Sequence, residues 1–307
     1  MDNVKNTHQG IGESRCPTAW LHPMRSPVGP IHLGQHFVPC QRAVTKPTVR
    51  PRGRQRFPIL MYHQISPTPP ADYHKYTVAP AAFSRQMAWL AAARYTPITL
   101  DQAFVHSRGS VLLPKRAVVI TFDDGFAECA EHAVPILRRR HFKATFYLVA
   151  GLMGETSRWD LAEGHSEMPL LEQAAARVLV EAGFTCGSHS VTHPHLAELA
   201  PNDCRDELRM SRRLLEERLG CTVLHLAYPF GSFNQRVCAL AAEAGYETAC
   251  SVRIGISGLA DDRYALHRVP ICGADSLVDF VCLVHRGQRA IDCVRSAARR
   301  ALRLGRH

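Results

Sequence analysis

One feature constrains the fold more than any other: short apolar runs alternate with stretches of helical apolar spacing across residues 57–272. "FPILMYH", "RAVVITF", "KATFYLVA", "FTCGSHS", "VLHLAYPFG" and "YETACSV" read as strands. Between them, "APAAFSRQMAWLAAA", "AECAEHAVPILRRRH", "MPLLEQAAARVLVEAG", "PNDCRDELRMSRRLLEERLG" and "NQRVCALAAEAG" read as helices; in the first, Phe83, Met87 and Leu90 share a face. Gly183 and Gly220 stand where two of these helices should end. Strands this apolar belong in a sheet covered on both faces. The alternation therefore predicts an α/β fold with mainly parallel strands, either a barrel or a doubly wound sheet. In both, chemistry gathers at the C-terminal ends of the strands.

Charge divides the 307-residue chain into three parts. Residues 1–56 carry +7 and residues 286–307 carry +6, whereas 57–285 carries −3. The first part, rich in scattered Pro, Gly, His and Arg without a periodic apolar face, reads as a poorly ordered basic arm and linker. The middle reads as the folded domain, and the last part as a basic C-terminal helix or tail continuing from "DSLVDFVCLVHRGQ". A near-neutral body argues against a nucleic-acid groove. The 11 cysteines include no C-x-x-C pair, so they read as free thiols rather than as a disulfide framework or a cysteine metal site. With no apolar core of signal-peptide type in the first 30 residues and no run long enough to span a bilayer, the expected location is the cytoplasm.

Reading only the strand exits yields a short set of chemically active residues. The first strand ends in Tyr62 and His63, with Tyr62 expected in the core. "AVVITFDDGF" runs from an apolar strand into Asp123 and Asp124, whose adjacent carboxylates repel each other. "GSHSVTHPHL" supplies His189, His193 and His195, and "AYPFG" supplies Tyr228 and Phe230. The spacing of four between His189 and His193 would place both rings on one side of a helical turn, able to share a metal ion. A carboxylate opposite completes a two-imidazole, one-carboxylate set with positions left for water. His195, after Pro194, is expected to face solvent. With a cation at one aspartate, the other remains available to take a proton from water, which explains the costly pair.

"TFDDG", "SHSVTH" and "AYPFG", in this order, resemble the polysaccharide deacetylases of the nodulation-type homology domain, carbohydrate esterase family 4. "ILMYHQI" and "YTVAPAAFSRQMAWL" resemble its circularly permuted branch, which includes poly-N-acetylglucosamine deacetylases. The resemblance implies a distorted (β/α)7 barrel, with Asp123 as general base and Asp124, His189 and His193 holding a divalent metal, zinc or another first-row ion. It further implies a backbone N–H near Phe230 as oxyanion donor, a histidine acid, and an N-acetylated carbohydrate as substrate. His63 fits the acid of the permuted branch; Leu283–His285 fits the other branch formally, but within a helix. The family's third motif often opens with an arginine that contacts the catalytic aspartate, and Ala227 occupies that position here. Arg268, in "ADDRYALHRVPI", is a candidate replacement, although a surface ion pair is the plainer reading. Trp159 reads as a cover for the core edge or as a platform for a sugar ring. Two other readings remain: a hydrolase of another amide or imide on this fold, or a carbohydrate-binding relative without activity.

Overall fold

The computed structural model describes residues 55–105 and 113–292. Seven parallel strands form a closed barrel: β1 (Ile59–Tyr62), β2 (Ala117–Phe122), β3 (Thr145–Leu148), β4 (Thr185–Ser188), β5 (His225–Ala227), β6 (Thr248–Ile254) and β7 (Leu266–Pro270). Each strand pairs with its neighbour in sequence, and β7 closes on β1 through Val269 opposite Leu60. Thr96–Pro97 adds only two residues beside β2.

Helices fill most of the crossovers. These are α1 (Pro80–Ala92) and α2 (Leu100–Val105), then α3 (Ala127–Arg138), α4 (Gln173–Glu181), α5 (Pro201–Leu219), α6 (Gln235–Glu243) and α7 (Leu277–Arg286). No helix lies between β6 and β7, which makes the (β/α)7 arrangement irregular. None of the described helices is long and apolar enough to cross a membrane.

Local chemistry accounts for the elements. β2 is buried at all six positions, as an apolar strand covered on both faces must be. α5 opens on a proline and buries Cys204, Leu208, Ser211, Leu215 and Leu219, one stripe of an otherwise charged helix. α7 starts at a capping box of Ser276 and Asp279. It stops sooner than the sequence reading expected. Gly287, at φ +68°, donates its N–H to the Leu283 carbonyl and closes the helix, so "LVDFVCLVHR" does not run on unbroken. The expected arm lies outside the described residues except for Gln55 and Arg56, and so does the tail beyond residue 292.

Alternation along β2 sorts its side chains into two layers. Phe122 faces outward, stacked on Phe146 at 4.7 Å and edge-on to Phe83 of α1. Val119 lies on the opposite face with Thr121 and, one step beyond the strand, Asp123. Ile59, Val119, Tyr147, Ala227, Cys250 and Leu266, from six strands, join one buried apolar cluster with Leu100 and Phe104 of α2. This cluster forms a dry floor beneath the strand ends.

Candidate active site

β2 leaves the barrel through a tight turn. Asp124 and Gly125 are both left-handed, at φ +69° and +75°. A β-carbon on Gly125 would stand 3.0 Å from Leu148 Cδ2, so both the turn and the packing require glycine there. Asp124 has no such excuse, and a non-glycine residue held this way marks strain of about 1–3 kcal/mol. The turn directs both carboxylates over the barrel mouth, where Asp123 is 2% and Asp124 5% exposed.

The exit from β4 brings the histidines to the same place, but not by the helical turn that the spacing suggested. Residues 189–195 form a loop with Ser190 at φ +65° and His193 at φ +64°. Its shape is set by polar groups: Ser188 Oγ accepts from the Ser190 N–H, Ser190 Oγ accepts from the His193 N–H at 3.0 Å, and Glu207 accepts from the Val191 and Thr192 amides. His189 Nε2 and His193 Nε2 then lie 3.3 and 3.4 Å from one atom, Asp124 Oδ1. His189 Nδ1 is 2.8 Å from the Ala227 carbonyl oxygen. A carbonyl only accepts, so Nδ1 carries the proton and Nε2 presents a lone pair to Asp124. Burial holds His193 down at about 4, neutral at physiological pH. Three buried ligand atoms therefore converge within 4.8 Å of one another. Burial pushes the Asp124 carboxyl up, but hydrogen bonding to the two imidazoles outweighs it and holds the carboxyl well below its ordinary range. The donor set of two imidazoles and one carboxylate fits zinc or a neighbouring first-row divalent ion.

Asp123 is held separately. Arg268 Nη1 and Nη2 donate to its two carboxylate oxygens, both at 2.7 Å. The guanidinium is fully buried, and its Nε donates to the Ser251 carbonyl. The surface ion pair expected for Arg268 is thus corrected: β7 points this side chain into the barrel above the apolar floor. Burial pushes the Asp123 carboxyl up, but the Arg268 charge outweighs it and, with His189, leaves the pKa below its ordinary 3.8. Asp123 is ionised at neutral pH and held by its own cation, on the same cavity as the Asp124 cluster.

Comparison with known proteins accords with this geometry. The polysaccharide deacetylase family profile matches residues 111–249, which contain the double aspartate and both histidines. This part of the chain is a polysaccharide deacetylase domain. The chain is 26% identical over 216 residues to YxkH of Bacillus subtilis, a polysaccharide deacetylase by name, covering 70% of this chain and 71% of that one. It is 24% identical over 193 residues to the poly-beta-1,6-N-acetyl-D-glucosamine N-deacetylase of Staphylococcus aureus (strain N315), covering 59% of this chain and 63% of that enzyme. The structure of the Streptococcus pyogenes deacetylase PplD in complex with acetate superposes with a TM-score of 0.67 at 24% identity, over 76% of this chain and 99% of that one, a likeness of fold.

A cavity of about 550 Å³ opens over this cluster, and the remaining predicted residues stand on it or away from it. His63 follows β1 and borders it, half-buried, with its ring 5.4 Å from Tyr76. Tyr62 turns into the core, as expected, and donates to Gln86. His285 is exposed on α7, its Nδ1 3.0 Å from the Tyr95 hydroxyl and its ring edge-on to Trp89. Phe230, at φ +56°, lies flat on His195 at 4.1 Å and edge-on to His193. His195, expected simply in solvent, is held by that ring and by Glu163 at 3.7 Å. Tyr228 borders the cavity, but its amide donates to the Cys250 carbonyl and its hydroxyl to the Tyr264 carbonyl. Trp159 stacks on His193 at 4.3 Å, so one indole face supports the histidine. Next to it stands Asp160, which the sequence reading did not single out. Burial pushes its carboxyl up to about 7; a Ser157 hydrogen bond opposes the shift, and the charges of Asp124, Asp72 and Glu163 add to it.

Proposed function

We propose that this deacetylase removes N-acetyl groups from an N-acetylated sugar polymer or oligosaccharide. One observation carries the reading: the lone pairs of His189, His193 and Asp124 converge beside a second aspartate that has its own arginine. A divalent cation bound by Asp124, His189 and His193 would lower the pKa of water and polarise the acetamide carbonyl. Asp123, kept ionised by Arg268, takes the proton of the attacking water. The backbone N–H near Phe230 faces the negative charge that develops on the carbonyl oxygen. His63 gives a proton to the departing nitrogen as the C–N bond breaks, leaving acetate and a free amine. The sugar is favoured because the S. aureus relative bears the name of a poly-N-acetylglucosamine deacetylase.

The test is acetate release from N-acetylglucosamine oligomers and from simple acetamides, with and without chelator. Release from the oligomers, abolished by chelator and restored by zinc or another first-row ion, is the expected result. Release from a non-sugar amide alone would assign another amide hydrolase. Tight oligomer binding without acetate would leave a carbohydrate-binding protein.

A further inference from the structure

Asp160 is the buried group on the cavity wall that the proposed chemistry leaves unused. It lies in a single helical turn, Trp159–Ala162, between β3 and α4. Its side chain is 4% exposed, yet it borders the cavity. Ser157 orients it: the Ser157 hydroxyl oxygen accepts from the Met168 N–H at 2.9 Å, and its own hydrogen is turned to the Asp160 carboxyl. That leaves Asp160 Oδ2 buried with no hydrogen-bond partner in the protein. Burying such an oxygen without a partner costs about 1–3 kcal/mol. It is a cost that a bound donor would remove.

The surroundings indicate what that donor is. Asp160 follows Trp159, whose other contact is His193, so the carboxyl is placed beside the metal-ligand cluster rather than on it. Tyr76, half-buried with His165 edge-on to it, borders the same cavity and provides a ring face suited to a pyranose. We infer that Asp160 Oδ2 is a substrate anchor that accepts a hydrogen bond from a ring hydroxyl of the sugar whose acetamide enters the site. This rests on the proposed deacetylation of a sugar and adds to it the residue that reads the sugar rather than the acetyl group. Hydroxyl recognition by a buried acceptor is a strong discriminator, because a ligand lacking the hydroxyl leaves that acceptor unpaired.

The test compares wild type with Asp160→Asn and Asp160→Ala on the metal-loaded full chain. Three quantities are measured: the dissociation constant of an N-acetylglucosamine oligomer by calorimetry, KM and kcat for acetate release, and the inhibition constant of acetate, a probe without hydroxyls. The expected result is oligomer binding and KM weakened about tenfold or more in Asp160→Ala and less in Asp160→Asn, whose amide oxygen still accepts. Acetate inhibition and metal content stay at the wild-type level. Unchanged oligomer affinity in Asp160→Ala overturns the inference and assigns Oδ2 to a water molecule. Parallel loss of acetate binding or metal content overturns it in favour of a structural role. If wild type binds the oligomer but releases no acetate, the proposed function fails while the affinity comparison still decides Asp160; if wild type binds no oligomer, the inference fails as well.

Discussion

The two ends of the barrel each bury histidine beside aspartate, and they treat it in opposite ways. At the N-terminal end, His225 opens β5 with both ring nitrogens occupied: Nε2 lies 3.0 Å from Asp101 and Nδ1 2.9 Å from Thr248. The Asp101 carboxyl is lowered chiefly by that bond, and the pair pins α2 to the floor of the barrel. At the C-terminal end, two imidazole nitrogens converge on one carboxylate oxygen, and His193 Nδ1 has no partner in the protein. Of the six left-handed non-glycine residues described, Asp124, Ser190, His193 and Phe230 belong to this end, and the other two, Arg94 and His141, are exposed. Residue types are shared, so composition does not separate the ends. Satisfaction does: a polar group that is buried and fully paired serves the fold, whereas one that is buried, strained and unpaired waits for something the chain does not contain.

The largest expected effect strikes the unsatisfied end alone. His189→Ala or Asp124→Ala should lose bound metal and lower acetate release by about 10³-fold or more. Metal-free Asp124→Asn, whose side chain tolerates the left-handed backbone at this position, should melt close to the metal-free parent. A large drop in apo stability would place Asp124 with the fold instead. Arg268 bridges the comparison and should show both behaviours. Arg268→Met leaves Asp123 buried without its cation, which costs about 3–5 kcal/mol in denaturant unfolding. The folded pKa of Asp123 lies below its ordinary 3.8, so the pair contributes its full stability above that value and loses it as pH falls further. In Arg268→Met the Asp123 pKa rises, and the acid limb of the pH–rate profile should move up with it; an unmoved limb would separate Asp123 from the rate.

Much of this was legible in the chain, and the gaps have physical causes. Asp123, Asp124, His189 and His193 stand at the ends of apolar runs, and in a parallel barrel those ends meet. The alternation of elements told of the barrel because β2 is an unbroken apolar run and α5 carries a clear helical stripe. The helical turn through His189 and His193 was misread because a spacing of four does not distinguish a helix from a loop with two left-handed residues. Arg268 was undervalued because its partner is 145 residues away and because nearby Asp261, Asp262 and Arg263 suggested a surface cluster. Its signal was present, since an arginine inside the apolar strand "ALHRVPI" must be paired or exposed. Asp160 carried no motif, and only burial reveals it.

Smaller effects sharpen the contrast further. His63→Ala should lower acetate release by about 10²-fold at unchanged metal content, the usual scale for a lost general acid. His285→Ala, on the far side of α1, should retain wild-type turnover; the reverse outcome would exchange the two assignments. Asp101→Ala should cost about 1–3 kcal/mol in unfolding by leaving His225 Nε2 unpaired. Its metal content and kcat should match those of the parent, since nothing at that end faces the cavity. A metal or kcat defect in Asp101→Ala would show that the two ends are not independent.

The central claim is that Asp124, His189 and His193 hold a divalent cation while Asp123 stands beside them as a free base. Metal stoichiometry and acetate release, measured side by side in Asp123→Asn and Asp124→Asn, test it most directly. The account predicts about one ion per chain and no acetate from Asp123→Asn, but neither ion nor acetate from Asp124→Asn. An Asp124→Asn protein that keeps its ion and its turnover, or an Asp123→Asn protein that loses its ion, would contradict it.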